Sequence, residues 1–327
     1  MNRCELRRNE KFADLFLVLI LFLFLYAPPI IKINVVHFLA LLSWLYIILH
    51  NDLIIRYVIP RQLRYLSYVL LSYFVYFALI ILINGESAIG TIDPLLILFE
   101  KIPVCILFAS VFERRNYSID DVLRIVVLAG LIEAVLCIIA LLNEHVKEEY
   151  LQLYISSGYD KGLNVYRELA TFRLFALASS PNFITPVILA TSSIFSFYLC
   201  IRGRPFYILS GYILLFAAII NARISFVVFF VGMFLLFLLG GIARKKVLKL
   251  VLIIVCGIAI FSFLMQIYAM HNISSLNWIL TGIDEIFSFM TGQKLANSTF
   301  NYLFDEAHYR LPEDLGVFFG RGTRILL

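Results

Sequence analysis

Long runs of apolar residues recur along this chain, and they constrain its fold more than any other feature of the sequence. Hydrophobic residues make up 62% of its 327 positions. A run of about 18 or more apolar residues is long enough to cross a bilayer as a helix. Because backbone in lipid must satisfy its own hydrogen bonds, such runs favour helices over irregular chain. The pattern therefore predicts an all-α fold, a polytopic transmembrane helical bundle.

The apolar runs predict about nine transmembrane spans, separated mostly by short polar connections. Their ranges are 12–31, 33–50, 65–83, 94–112, 122–142, 173–200, 206–221, 224–242 and 249–270. Two connections are longer, an outer loop at 143–172 and a segment at 271–327. We therefore divide the chain into a transmembrane bundle, 1–270, which includes the outer loop, and an extracytoplasmic segment, 271–327, which we expect to be incomplete.

Positive charge alternates between the two sides of the predicted bundle. Membrane proteins concentrate Lys and Arg in their cytoplasmic connections. With the N-terminus in the cytoplasm, the inner connections carry Arg3, Arg7, Arg8, Lys11, Arg56, Arg61, Arg64, Arg114, Arg115, Arg124, Arg202, Arg204, Arg244, Lys245, Lys246 and Lys249. The short outer loops carry only Lys32 and Arg223. This asymmetry predicts a multi-pass protein with a cytoplasmic N-terminus and with both long segments outside.

Signatures of several other chemistries are missing from the sequence. Basic patches interleaved with aromatic residues, which are typical of nucleic-acid binding, do not occur, so we expect no nucleic-acid partner. The five cysteines show neither a disulfide framework nor metal-ligand spacing. P-loop and dinucleotide glycine patterns are also missing. Any chemistry is therefore expected on the outer face, without ATP, a metal or another cofactor.

The first candidate site lies at the outer end of the sixth predicted span. Arg173 enters the helix there, and eight residues later Pro181-Asn182 interrupts the helical hydrogen bonds. Such interruptions at membrane depth are tolerated where the freed backbone groups line a cavity. The simpler interpretation, in which Arg173 is an interfacial anchor and Pro181 a kink, stays open.

The second candidate is Arg223, in the tight outer turn between two predicted spans. The span before it has roughly 16 residues and a length of about 24 Å, which is short of a hydrocarbon core of about 30 Å. Arg223 is therefore expected below the outer surface, in a wet cavity, where an arginine is costly and usually functional. The alternative is that its side chain extends to the lipid headgroups.

Three outer residues are weaker candidates. Arg167 is followed directly by Glu168, and such a pair on a loop is usually solvated. His308 lies on the last segment, and a histidine can act as a general base when it lies near a hydroxyl group that must lose its proton. A lone loop histidine is more often simply solvated. Arg321 lies between two glycines, which would let backbone amides approach an anion.

Two charged residues are predicted inside the membrane at similar depths. Lys101 lies about seven residues below the outer end of its span, and Glu133 lies about eleven residues above the inner end of the next span. A structural salt bridge between neighbouring helices is the favoured interpretation. A proton relay is the alternative.

Taken together, these motifs resemble the O-antigen polymerase and O-antigen ligase superfamily of bacterial polysaccharide assembly. The resemblance covers about residues 170–322. It rests on the order and spacing of Arg173, Pro181-Asn182, Arg223 and Phe319-Gly320-Arg321-Gly322.

Members of this superfamily look like metal-independent glycosyltransferases of the outer leaflet, and they use undecaprenyl-diphosphate-linked sugars. The resemblance implies that Arg173 and Arg223 engage the diphosphate. We expect the base to be His308 or a residue beyond Leu327, and we expect Arg167, Asn182 and Arg321 to bind substrate. The resemblance also implies membrane lipid and a chain-length regulator protein as partners, and a location in the bacterial inner membrane.

The sequence departs from the superfamily pattern at two positions and in length. Ala176 stands where a glycine is frequent, and Ala222 stands where serine or glycine is frequent. Relatives usually continue beyond the point that corresponds to Leu327, so we expect a C-terminally truncated chain. A polysaccharide polymerase is the favoured function. A ligase, a polysaccharide or lipid flippase, and a non-catalytic membrane scaffold are the alternatives.

Overall fold

A computed structural model describes residues 3–29, 35–53, 56, 61–84, 93–157, 176–178, 184–222, 224–239 and 257. Throughout these residues the regular secondary structure is helical, with no strand. The all-α prediction is therefore confirmed for the described part of the chain.

Nine helices of 13 residues or more are found in the described ranges. They are α1 (Arg3–Tyr26), α2 (Val35–Leu49), α3 (Arg61–Asn84), α4 (Ile102–Arg114), α5 (Ile119–Leu142), α6 (Glu144–Ser156), α7 (Ile184–Ile201), α8 (Tyr207–Asn221) and α9 (Ile224–Leu239). A short helix at Asn51–Leu53 follows α2. A helical turn at Asp93–Leu96 and a π-helical turn at Ile97–Lys101 lead directly into α4.

Side-chain caps define the starts of the two helices that position the candidate site. Ser118 and Asp121 form a capping box at α5, in which each side chain pairs with the other residue's backbone amide. At α6, the side chain of Asn143 accepts hydrogen bonds from the amides of His145 and Val146. These bonds satisfy amides that have no partner within the first turn of a helix.

The chain forms two compact units. The first contains α1 and α5 to α9, and the second contains α2 to α4. In the first unit, α7 packs against α5, α8 and α9, while α1, α6 and α8 pack on α5. In the second unit, the indole of Trp44 on α2 donates to the carbonyl of Phe99, and His37 pairs with Glu100 at 2.8 Å.

Small residues allow α5, α7 and α8 to approach closely. A Cβ atom added at Gly130 would lie 3.0 Å from both Leu214 and Ser192. Two serine hydroxyls of α7 also donate to backbone carbonyls of the next helix, Ser193 to Gly211 and Ser196 to Tyr207. Small side chains and interhelical hydrogen bonds of this kind are typical of helix packing in membranes.

Ion pairs place several predicted inner connections at one end of each unit. In the first unit, Asp14 accepts hydrogen bonds from Tyr117 and Arg124, and Arg204 pairs with Asp121 at 3.8 Å. In the second unit, Arg56 pairs with Glu113, and Arg114 lies 4.0 Å from Asp52. Within each unit these connections therefore share one end, as the charge pattern predicts. Which end faces the cytoplasm stays a prediction.

Two of the described helices, α5 and α7, are long and apolar enough to cross a membrane. Four shorter apolar stretches, Ala13–Tyr26, Val35–Leu49, Tyr207–Asn221 and Ile224–Leu238, also overlap predicted spans. Large apolar side chains are exposed along α9, including Phe230, Phe234 and Leu238. The prediction of about nine spans is thus supported in its coarser form, as an apolar helical protein with two clear candidate spans.

The sixth predicted span, 173–200, is not a single helix. Residues 176–178 are non-helical, and α7 begins only at Ile184. The chain is therefore already non-helical at Ala178, three residues before Pro181, which itself lies outside the described residues. The outer loop at 143–172 also departs from the prediction, because its first part forms α6. Apart from Gly257, the predicted span at 249–270 and the segment at 271–327 lie outside the described residues.

Candidate functional site

The candidate site is built around the irregular segment at residues 176–178. Its backbone is neither helix nor strand, and Ala176 and Ala178 are both fully buried. Backbone polar groups of such a segment need partners when they are removed from water. In this protein those partners come from side chains of α5 and α6.

Glu133 of α5 binds the amide side of the irregular segment. Its Oε1 atom accepts a hydrogen bond of 3.2 Å from the amide of Ala178. The amides of Leu177 and Ala176 are directed at the same carboxylate. Glu133 is fully buried near the middle of its helix. Successive backbone N–H groups of this kind form a concave site that suits an anion.

Tyr154 of α6 binds the carbonyl side of the same segment. Its hydroxyl donates to the carbonyl of Ala178 and lies 3.3 Å from the carbonyl of Ala176. The tyrosine is fully buried. We refer to Glu133 and Tyr154 together as the clamp, because they hold opposite polar edges of one stretch of backbone.

A second cluster of contacts lies at the turn between α8 and α9. Asn221 is fully buried at the end of α8, and its Nδ2 donates to the carbonyl of Ala217 at 2.8 Å. Ser225, at the start of α9, donates to the carbonyls of Ala218 and Ala222. These contacts fix the backbone on both sides of residue 223.

One face of α5 links these two regions. Cys137 follows Glu133 by four residues and therefore lies on the same face of the helix. The Nδ2 atom of Asn221 lies 3.5 Å from Sγ of Cys137. The backbone of Ala176 reaches the same thiol. The irregular segment and the α8–α9 turn thus converge on neighbouring positions of α5.

Three buried polar atoms around this face have no hydrogen-bond partner among the described residues. They are the hydroxyl of Tyr26, Oε2 of Glu133 and Oδ1 of Asn221. Tyr26, at the end of α1, lies within electrostatic range of Glu133 and Cys137. A buried polar atom without a partner is costly and usually indicates a functional or hydrated site.

The residues predicted to carry chemistry fall outside the described part of the chain. These are Arg173, Arg223, His308, Arg167, Asn182 and Arg321. The structure does describe the backbone that flanks two of them, since Ala176 follows Arg173 by three residues and Ala222 directly precedes Arg223. Their roles stay predictions.

The predicted pair of Lys101 and Glu133 stays a prediction. Lys101 belongs to the second unit and its side chain is exposed, whereas Glu133 is buried in the first unit. The polar partners of Glu133 are the amides of the irregular segment. The depth of Glu133 in its predicted span did not reveal these amide partners, because an interrupted helix offers free amides that a continuous helix does not.

Several site residues were missed by sequence reasoning, namely Tyr154, Cys137 and Asn221. A signal for the helix that carries Tyr154 was present, because Asn143 before Glu144 is a favoured N-cap arrangement. Lys147 lies on the same helix. Its partial burial lowers its pKa, while the nearby carboxylates of Glu144 and Glu148 raise it. Cys137 and Asn221 look like ordinary span residues in the sequence.

Comparisons of the chain with protein-family models, with curated proteins and with solved structures gave no match. Its function must therefore be argued from the residues and the geometry.

Proposed function

We propose that this protein is a multi-pass enzyme of the bacterial inner membrane that polymerises undecaprenyl-diphosphate-linked oligosaccharide repeat units on the periplasmic face. The product would be an O-antigen or a capsular polysaccharide. The proposal joins the sequence resemblance to the arrangement of buried polar contacts in the first unit.

The helical packing supports a location in a membrane. Two helices have the length and composition of spans, and exposed phenylalanines and leucines line α9. Large apolar patches on a soluble surface favour aggregation or binding, whereas they are the ordinary surface of a helix in lipid. Close contacts through Gly130 and the serines of α7 fit the same environment.

The observation that carries the proposal is the convergence of the irregular segment and the α8–α9 turn on one face of α5. Three residues of chain span at most about 11 Å, and consecutive Cα atoms lie about 3.8 Å apart. Arg173 and Arg223 are therefore tethered close to Ala176 and Ala222. Ala176 and Ala222 both lie in regions that contact the face of α5 formed by Glu133 and Cys137. The two arginine side chains can therefore reach one shared substrate cavity.

Two arginines in one cavity suit a diphosphate substrate. A guanidinium stays charged and can bind two phosphate oxygens at once. As the sugar leaves the diphosphate, negative charge develops on the leaving oxygen, and fixed cations stabilise it. In this proposal, Arg173 and Arg223 perform that role without a metal, and His308 accepts the proton of the acceptor hydroxyl.

The remaining candidates would contact the sugars and the lipid carrier. Arg167, Asn182 and Arg321 are proposed to bind substrate, and a chain-length regulator protein is a proposed partner. An O-antigen ligase, which moves the finished glycan to another lipid, is the nearest alternative. A flippase is the alternative from another class, and the buried carboxylate beside an irregular segment favours it most.

The test replaces each arginine in cells that lack the chromosomal copy of the gene. Arg173→Ala and Arg223→Ala in the full-length protein should shorten the surface glycan to a single repeat unit at unchanged protein level. Arg→Lys at either site should retain only part of the activity, since lysine keeps the charge but loses the planar fork. Arg202→Ala, which removes an exposed cation from the other end of the unit, is the control.

The products distinguish the alternatives. Loss of a ligase leaves long glycan on the lipid carrier, and loss of a flippase leaves single units in the inner leaflet. Long surface glycan in both alanine variants would show that the arginines are membrane anchors and that the proposed mechanism is wrong.

A further inference from the structure

We infer that Glu133 and Tyr154 are positioning residues for the polymerase reaction, because they hold the backbone that leads to Arg173. This inference rests on the proposed function. It gives a functional role to the buried carboxyl group of Glu133 and the buried hydroxyl of Tyr154, two groups that the sequence analysis did not link.

Glu133 is an expensive choice for a purely structural contact. A carboxylate buried in the middle of an apolar helix loses its hydration, and such residues are rare unless they serve a function. A neutral side chain would satisfy one amide at lower cost. The carboxylate instead faces the amides of Ala176, Leu177 and Ala178 together, an arrangement that a negative charge stabilises best.

Tyr154 completes the restraint from the other side. Its hydroxyl lies at the carbonyls of Ala176 and Ala178, while the amide of Ala178 donates to Glu133. The peptide units between these residues are therefore held on both polar edges. Both alanines are fully buried, so water cannot replace either of these restraints without entering the unit.

The restraint bears on Arg173 because only two residues separate it from Ala176. Misplacement of a catalytic group by about 1 Å can lower the rate about 100-fold. A loosened segment should therefore impair the step at which charge develops on the diphosphate. We expect a lower kcat, with a smaller change in KM, since the lipid and sugar contacts of the substrate stay in place.

The experiment measures kcat and KM of the full-length protein in lipid nanodiscs with a purified lipid-linked repeat unit. Tyr154→Phe removes only the hydroxyl, and Glu133→Gln replaces the carboxyl group with a neutral amide of the same size. Each should lower kcat about tenfold or more and change KM less than about threefold. Tyr198→Phe and Glu113→Gln are matched controls, because they make the same chemical changes at residues whose described partners are Arg202 and Arg56.

A second readout separates positioning from general stability. Each clamp variant is combined with Arg173→Lys, which is expected to keep partial activity. If the clamp acts through Arg173, the clamp variants should lower kcat much less in the Arg173→Lys background than in the wild type. Additive losses would show that the clamp acts elsewhere, and would overturn the inference.

The remaining outcomes are equally decisive. Wild-type kcat in both clamp variants, beside a loss of activity in Arg173→Ala, overturns the positioning role alone. Wild-type activity in Arg173→Ala overturns the proposed function itself. If Glu133→Gln fails to fold, Tyr154→Phe carries the same test.

Discussion

The carboxylate of Glu133 accepts a hydrogen bond of 3.2 Å from the amide of Ala178, a residue 45 positions further along the chain. This contact joins the middle of a candidate span to a stretch of chain that is not helical. Irregular backbone at membrane depth is stable only when its polar groups are paired within protein or face a water-filled cavity. The contact therefore identifies where the helical bundle departs from simple packing.

Asn221 should be important for the stability of the first unit. Asn221→Ala removes a buried donor to the carbonyl of Ala217 and the contact with Cys137. Loss of a buried hydrogen bond costs about 1–3 kcal/mol. We expect a lower thermal unfolding midpoint in detergent, measured by the loss of monomer in size-exclusion chromatography. Gln152→Ala, on the exposed face of α6, should leave the midpoint unchanged, and equal midpoints for both variants would contradict the prediction.

Gly130 should not tolerate a larger side chain. Gly130→Leu would force atoms against Leu214 and Ser192, where even a Cβ lies at 3.0 Å. Overpacking of a tight contact costs about 1–3 kcal/mol. The measurement is the yield of folded protein together with the unfolding midpoint. Val135→Leu, at an exposed position of the same helix, is the control. A Gly130→Leu protein as stable as this control would show that the crossing is loose.

Asp14 should stabilise the first unit more than Asp52 stabilises the second. Asp14→Ala leaves the partly buried Arg124 and the hydroxyl of Tyr117 without their shared acceptor. We expect a loss of about 1–3 kcal/mol from the two lost hydrogen bonds to Asp14. Asp52→Ala removes only an exposed pair at 4.0 Å, which is worth about 0–1 kcal/mol. Chemical denaturation of both variants would compare them, and equal losses would count against the prediction.

Lys147 gives a prediction for pH. Burial lowers its folded-state pKa below the ordinary 10.5, so the unfolded chain binds the proton more readily than the folded chain does. The charged lysine therefore costs stability below both pKa values, and this cost disappears as the pH rises to about 10.5. Lys147→Met should raise the unfolding midpoint at pH 8, and the gain should shrink towards pH 10.5. A gain that does not change with pH would indicate that added apolar contact is the cause.

The two ends of the first unit should face opposite sides of the membrane. Gln152, on α6, and Phe206, directly before α8, are both exposed and can each be replaced by cysteine. The positive-inside pattern predicts that Gln152→Cys reacts with an impermeant maleimide in intact cells, while Phe206→Cys reacts only after permeabilisation. The protein without either substitution gives the background. The reverse pattern would invert the topology and remove the basis for periplasmic chemistry.

The helical class and several helix positions could be predicted from the sequence, because apolar runs and charged connections are local signals. The cap of α5 at Ser118 and the charge clusters at Arg114 and Arg204 are such signals. A break was predicted at Pro181, since proline breaks a helix, and Pro181 lies outside the described residues. The non-helical backbone at Ala176 was not predicted. Alanine favours helix, and only the tertiary contacts with Glu133 and Tyr154 hold this stretch in another conformation.

The partner of Glu133 was beyond sequence reasoning for a related reason. The depth of Glu133 in its predicted span is compatible with several partners. Lys101 was predicted because it has the opposite charge and a similar depth. Backbone amides carry no sequence signal of their own, since every residue except proline has one. The same limit applies to Asn221, whose contact with Cys137 depends on how α5 and α8 cross.

The pairing of Asp14 with Arg124, 110 residues later, also sets an order of assembly. Helix α1 leaves the ribosome first, yet its partner α5 emerges only after α2, α3 and α4 have been synthesised. Until then Asp14 has no cation from α5, and the apolar side of α1 has no helix α5 to pack against. The first unit therefore cannot close around its own N-terminal helix during early insertion, and this closure must wait until α5, at Ile119–Leu142, has been synthesised.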